Sequence, residues 1–190
     1  MNLPNKLTVG RIIAVPFFIL AYMTEHFLLT LIIFVLASIT DLLDGKIARK
    51  QNLITNFGKI IDPLADKVLV YSAFCLMVAD GTVPAWMLIV ILAREFIVAG
   101  VRTVAASEGI VIAADMGGKI KTVLQMIAVP LLLLVNAAGE PVYYLPSDGV
   151  PSTSINWISL LAQIALWASL IMTVYSGASY IINNRKVFSS

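Results

Sequence analysis

The chain has 190 residues, 59% of them hydrophobic and only 13% charged, and its mean hydropathy of +0.93 lies far from a soluble average. Runs such as Phe27–Ile39, Val123–Val135 and Trp157–Val174 are too long and apolar to share one water-soluble core, which points to a polytopic membrane protein. The formal net charge of +2 is modest, and no nucleic-acid partner is expected. Cys75 is the only cysteine, so an intramolecular disulfide and a cysteine-based zinc site are impossible. Set between Phe74 and Leu76, it is expected as a buried small hydrophobe. His26, the only histidine, stands beside Glu25 at a hydrophobic boundary and reads as a solvated loop residue.

Six hydrophobic segments follow in chain order: Leu7–Thr24, Phe27–Lys50, Asn56–Ala79, Val83–Ser107, Gly117–Ala138 and Ser154–Asn183. They predict an all-α protein of six transmembrane helices, forming a single integral-membrane domain over residues 1–190. Lys6 and Arg11 before Ile12–Met23 imitate a secretory signal, but no A-x-A cleavage site follows, so an uncleaved first membrane helix is expected. Short connections join the first five segments. Gly139–Thr153 carries Gly139, Pro141, Pro146, Gly149 and Pro151 and reads as an irregular loop.

Charge placement orients the helices. The connections Glu25-His26, Asp80–Thr82 and Gly139–Thr153 contain no lysine or arginine. Lys6, Arg11, Lys46, Arg49, Lys50, Lys59, Arg102, Lys119, Lys121, Arg185 and Lys186 fall on the other side. By the positive-inside rule both termini face the cytoplasm.

Four carboxylates interrupt this apolar pattern. Asp41 and Asp44 lie late in the second segment, Asp62 and Asp66 early in the third, so both pairs approach the cytoplasmic interface. At 100° per residue Asp41, Asp44, Gly45 and Ala48 share one face, and Gly58, Asp62 and Asp66 follow at four-residue steps. The short linker Gln51–Thr55 would make the two helices antiparallel neighbours and gather the four acids into one pocket. Each uncompensated aspartate near mid-membrane costs roughly 2.5–3.5 kcal/mol. Lys46, Arg49, Lys59 and Lys67 could offset part of that cost, and two divalent cations would balance it outright. All-oxygen ligation suits Mg²⁺, Mn²⁺ or Ca²⁺, and two such ions are suited to phosphoryl chemistry. Gly45, Ala48 and Gly58 leave room for a bulky phosphorylated ligand, although small residues also simply pack membrane helices.

The run Asp41-x-x-Asp44-Gly45-x-x-Ala48-Arg49, then eight residues, then Gly58-x-x-x-Asp62-x-x-x-Asp66 resembles the signature of CDP-alcohol phosphotransferases at every fixed position. The resemblance implies that Asp41, Asp44, Asp62 and Asp66 hold two divalent metal ions, Mg²⁺ or Mn²⁺. It implies that Asp66 is the base that deprotonates an acceptor alcohol, whose oxygen attacks the β-phosphorus of a CDP-linked donor as CMP leaves. Gly45, Ala48, Arg49, Thr55 and Gly58, with Asn5 and Thr8, then stand at donor-binding positions. Arg49 suits a diphosphate in its own right, because a guanidinium forks to two oxygens. The resemblance also suggests a homodimer among membrane lipids.

The acceptor is read outside the signature. Pro4-Asn5-x-Leu7-Thr8-x-x-Arg11, Ala93-Arg94-Glu95 and Gly118-Lys119-x-Lys121-Thr122-x-x-Gln125 resemble the branch that uses CDP-diacylglycerol and sn-glycerol 3-phosphate. Arg11, Arg94, Arg102, Lys119 and Lys121 are the acceptor-binding expectations. Arg94 could instead pair with Glu95 or a motif aspartate. Lys119 and Lys121 could serve topology or lipid headgroups, and two apart on a helix only one can face the site. Trp86, Trp157 and Trp167 lie away from the motif and read as interface anchors or packing rather than a choline cage. The alternatives are phosphatidylglycerol as acceptor, giving cardiolipin, or a cation transporter that uses the aspartates as an ion relay.

Overall fold

Six α-helices make up the secondary structure of the described residues: α1 (Leu3–Met23), α2 (Phe27–Gln51), α3 (Asn56–Ala79), α4 (Ala85–Ser107), α5 (Met116–Ala137) and α6 (Trp157–Asn183). The computed structural model describes residues 3–51, 56–110, 112, 115–139 and 157–185; over 3–7, 41–51 and 56–64, and at 66, it describes backbone alone. The helices match the six expected segments closely, α1 starting at Leu3 rather than Leu7; the expected start of the sixth at Ser154 lies outside the described residues. Most of the expected irregular loop falls at 140–156, outside the described residues.

Local chemistry sets where the helices end. At the end of α1 Glu25 takes a left-handed conformation (φ 59°), and the amide of His26 donates back to the Ala21 carbonyl at 2.9 Å. That wraps the last turn as glycine usually would, and leaves His26 exposed as expected. Gly81 and Gly109, after α3 and α4, have φ 81° and 76°, where a side chain would be strained. Pro16 and Pro130 lie inside α1 and α5.

The core draws on every helix. Phe18, Phe34, Phe74, Met77, Met87, Ile91, Leu132 and Leu166 are all fully buried and belong to one cluster. Among the described contacts α5 packs most extensively on α6, α1 on both α2 and α3, α4 on α6 and α2 on α5. The outward faces stay apolar: Phe17, Leu20, Ile32, Ile89, Phe96 and Ile171 are exposed. Apolar area of that extent fits lipid rather than water around the bundle. α5 and α6 are each long and apolar enough to cross a membrane.

One sequence expectation is overturned here and another is narrowed. Cys75 is exposed, not buried, because a small apolar side chain on a bundle with apolar outer faces needs no place in the core. Trp86 and Trp167 meet with ring centroids 5.8 Å apart, so for this pair packing of α4 on α6 is the observed role.

At one end of the bundle a polar clasp joins three helices. The Tyr22 hydroxyl donates to Asp80, and Asn136 Nδ2 donates to the Tyr22 oxygen at 3.1 Å. The Thr82 amide donates to Asp80 Oδ1 at 2.9 Å, and its hydroxyl donates to Asn136 Oδ1 at 3.2 Å. Partly buried polar groups thus satisfy one another, and they tie the C-terminal ends of α1, α3 and α5 together.

Candidate active site

The other end of the bundle gathers charge. Glu95, on α4 and only 8% exposed, accepts from three cations on three helices. Lys67 Nζ of α3 lies 2.9 Å from Oε2, Arg94 Nη1 lies 2.9 Å from Oε1, and Lys121 of α5 also donates to Oε1. Lys121 is 3% exposed. An ammonium that deep requires a carboxylate partner, because its uncompensated burial would cost several kcal/mol.

Above this cluster opens a cavity of about 620 Å³ between α3, α4, α5 and α6, lined by Lys67, Arg94, Arg102 and Lys119 among others. Among the described residues Glu95 and Asp115 are the acids in its wall, so the described lining carries two positive charges in excess. Such a cavity suits a small dianion, and the forked guanidiniums suit phosphate oxygens.

Arg94 is held by what its neighbours lack. A Cβ at Gly118 would lie 3.0 Å from Arg94 Nη2, and one at Gly177 would lie 2.9 Å from Arg94 Cγ. Glycine at both positions gives the side chain its bed between α5 and α6. Its Nη1 is spent on Glu95, while its buried Nε has no hydrogen-bond partner among the described residues. Arg102 is held differently: its Nε donates to the Tyr180 hydroxyl at 3.1 Å, and Tyr180 is buried with Val98 and Val101.

The five expected acceptor residues therefore separate. Arg94, Arg102 and Lys119 line one cavity. Lys121 faces a smaller recess beside it and spends its charge on Glu95, which is how the two-residue spacing of Lys119 and Lys121 resolves. Arg11 is buried on α1 and lines a separate cavity with Ala37 and Thr40 of α2, near the start of the aspartate motif. Thr8 is buried one turn earlier. The side chains of Asn5, Asp41, Asp44, Gly45, Ala48, Arg49, Gly58, Asp62 and Asp66, and the whole of Thr55, lie outside the described residues. Of these, positions 41–49 belong to α2 and 58–66 to α3.

The profile of the CDP-alcohol phosphatidyltransferase family matches residues 1–175. The chain belongs to this family. A relative from Bacillus subtilis (strain 168), named CDP-diacylglycerol–glycerol-3-phosphate 3-phosphatidyltransferase, is 42% identical, over 96% of this chain and 95% of the relative. A protein of the same name from Rickettsia felis is 37% identical over 98% and 97%. A Mycobacterium tuberculosis (strain H37Rv) protein, named probable phosphatidylglycerophosphate synthase, is 34% identical over 95% and 80%.

Within this family member several site residues escape a reading of the sequence alone. Tyr180 lies 78 residues from the arginine that it holds, and nothing in its local sequence announces that contact. Gly118 stands in the run Gly118-Lys119-x-Lys121-Thr122-x-x-Gln125 and Gly177 in no motif, and neither position signals the contact with Arg94. The one available signal was Glu95, an acid in an apolar helix, which had to find cations somewhere.

Proposed function

We propose that this chain transfers the phosphatidyl group of CDP-diacylglycerol to sn-glycerol 3-phosphate, giving phosphatidylglycerophosphate and CMP. The reading places six helices across the membrane, both termini in the cytoplasm and the reaction near the cytoplasmic face. There a water-soluble acceptor can enter while the donor's acyl chains stay in lipid. The observation that carries it is the basic cavity with Arg94, Arg102 and Lys119 in its wall, in a chain that matches relatives named for this reaction over almost its full length.

In this reading Asp66 takes the proton from the acceptor's C1 hydroxyl. The oxygen attacks the β-phosphorus of the donor, and the bond from that phosphorus to the CMP oxygen breaks. Arg94, Arg102 and Lys119 hold the acceptor's phosphate. Arg49, with Gly45, Ala48, Thr55 and Gly58, and with Asn5 and Thr8 of α1, holds the cytidine diphosphate. Asp41, Asp44, Asp62 and Asp66 are an all-oxygen donor set at helical spacing, a chemistry that fits Mg²⁺ or Mn²⁺. When bound, two such ions would neutralise phosphate oxygens and the charge on departing CMP.

Phosphatidylglycerol is the weaker acceptor candidate. Its phosphodiester carries one negative charge, whereas the described lining of the cavity holds two positive charges in excess and suits a phosphomonoester. The purified protein, supplied with CDP-diacylglycerol, Mg²⁺ or Mn²⁺ and a panel of acceptors, should form product with glycerol 3-phosphate alone. Asp66→Asn should abolish it. Product from phosphatidylglycerol, serine or inositol phosphate would overturn the choice of acceptor, and undiminished turnover in Asp66→Asn would remove the proposed base.

A further inference from the structure

Beside the basic cavity lies a recess of about 220 Å³ that shares Lys67, Glu95, Thr122 and Met126 with it and is closed by Tyr71, Lys121 and Gln125. Gln125 is 2% exposed, yet its side-chain amide nitrogen has no hydrogen-bond partner among the described residues. Around it the polar groups are already spent: Lys121 is committed to Glu95, and Glu95 to three cations. A buried amide with nothing to bind costs stability, and in the wall of a ligand cavity the partner it lacks is a ligand oxygen.

The helices say which part of the ligand that is. Lys119, in the outer cavity, precedes Gln125 by six positions on α5, so the recess extends inward from the phosphate-binding end. Val70 lines the recess and follows position 66 by four residues on α3, on the same helical stripe. α3 and α5 run in the same direction, their C-terminal ends meeting in the Asp80–Asn136 clasp, so the recess lies inward of both the phosphate-binding cations and position 66. A glycerol phosphate whose phosphate meets Arg102 and Lys119, and whose C1 hydroxyl meets Asp66, carries its C2 hydroxyl between those ends, with the recess and Gln125 on its inward side.

We propose that Gln125 is a specificity-determining residue that hydrogen-bonds the C2 hydroxyl of the acceptor and so selects glycerol 3-phosphate over phosphorylated alcohols lacking it. The assignment rests on the acceptor reading above and goes beyond it. A site built around a hydroxyl rejects the analogue without one, because the buried polar group is then left unpaired.

The test compares glycerol 3-phosphate with 3-hydroxypropyl phosphate, which lacks only the C2 hydroxyl, as acceptors with CDP-diacylglycerol. In the parent protein kcat/KM should favour glycerol 3-phosphate by about tenfold or more. In Gln125→Met, of similar shape and no hydrogen-bonding amide, the preference should fall to within about twofold. The ratio is taken within each variant, so a loss of folded protein cancels; Gln125→Ala serves the same comparison if the methionine packs poorly. An unchanged ratio in the variants, or a parent that uses both acceptors equally, overturns the role of Gln125. A parent that makes no product from glycerol 3-phosphate overturns the acceptor reading itself, a distinct result.

Discussion

Arg102 and Tyr180 meet through two parts of one side chain. The arginine Nε donates to the tyrosine hydroxyl at 3.1 Å, and its guanidinium carbon lies 5.6 Å from the ring centroid. Tyr180 is buried, so it fixes an arginine that is itself exposed to the cavity. Removing the hydroxyl while keeping the ring, as in Tyr180→Phe, should free the Nε and leave the guanidinium less ordered. The expected outcome is a rise of about threefold to tenfold in KM for glycerol 3-phosphate with KM for CDP-diacylglycerol unchanged, read from steady-state kinetics with each substrate varied in turn.

The three ion pairs at Glu95 are unequal. The Lys67 side chain is 47% exposed, so its bridge is screened and contributes little. The Lys121 side chain is 4% exposed and depends on the carboxylate. Glu95→Gln strands that ammonium beside Arg94 and should cost about 3 kcal/mol. Lys121→Met removes the buried charge and leaves Glu95 with Arg94 and Lys67, so it should cost distinctly less. Thermal unfolding of the two variants in the same detergent should give that order; the reverse order would show that Lys121 is not the dependent partner.

Glycine substitutions should separate packing from function. Gly177→Ala sets a methyl group 2.9 Å from Arg94 Cγ, which the side chain must escape by moving, so KM for glycerol 3-phosphate should rise severalfold. Gly117→Ala instead sets its methyl 2.9 Å from Ser176 Cβ, at the crossing of α5 and α6, and equally close to the more easily moved Asp115 Oδ2. Overpacking there should cost about 1–3 kcal/mol and lower the melting temperature more than Gly177→Ala does.

The polar clasp at the far end serves as a control. Asp80→Ala leaves the Tyr22 hydroxyl and the Thr82 amide without their acceptor and should destabilise by about 1–3 kcal/mol. Neither substrate's KM should change, because the clasp joins the ends of α1, α3 and α5 away from the basic cavity. A KM shift comparable to that of Tyr180→Phe would mean that the two ends of the bundle are coupled.

Metal dependence follows from the donor set. Chelation with EDTA should abolish turnover, and Mg²⁺ or Mn²⁺ should restore it, as hard cations suit four carboxylates. Turnover that persists after chelation and dialysis would separate the aspartate motif from any metal.

The helices were largely legible in the sequence, because each of the six apolar runs predicts one helix and six helices are found among the described residues. Placement around the helices was less so. The two-residue spacing of Lys119 and Lys121 implied that they part company, but not which would be buried. That depended on Glu95, 26 residues from Lys121 in sequence, and a separation of that size carries no periodic signal. Cys75 went astray because burial was inferred from hydrophobic neighbours, which in this bundle line the outside as readily as the inside. For the aspartate motif the position was the reverse: sequence spacing and family pattern carry the assignment, and the side chains of its four aspartates lie outside the described residues.

The bed of Arg94 also constrains how this family member can change. Gly118 and Gly177 sit on different helices and far apart in the chain, yet both are tied to one arginine on a third helix. While Arg94 stays, neither glycine can become alanine without disturbing it; once Arg94 is lost, that particular conflict disappears from both positions. The order of substitution is thereby fixed. A lineage that abandons this arginine opens two positions to drift, and a lineage that has filled them cannot regain the arginine in the same pose by a single mutation.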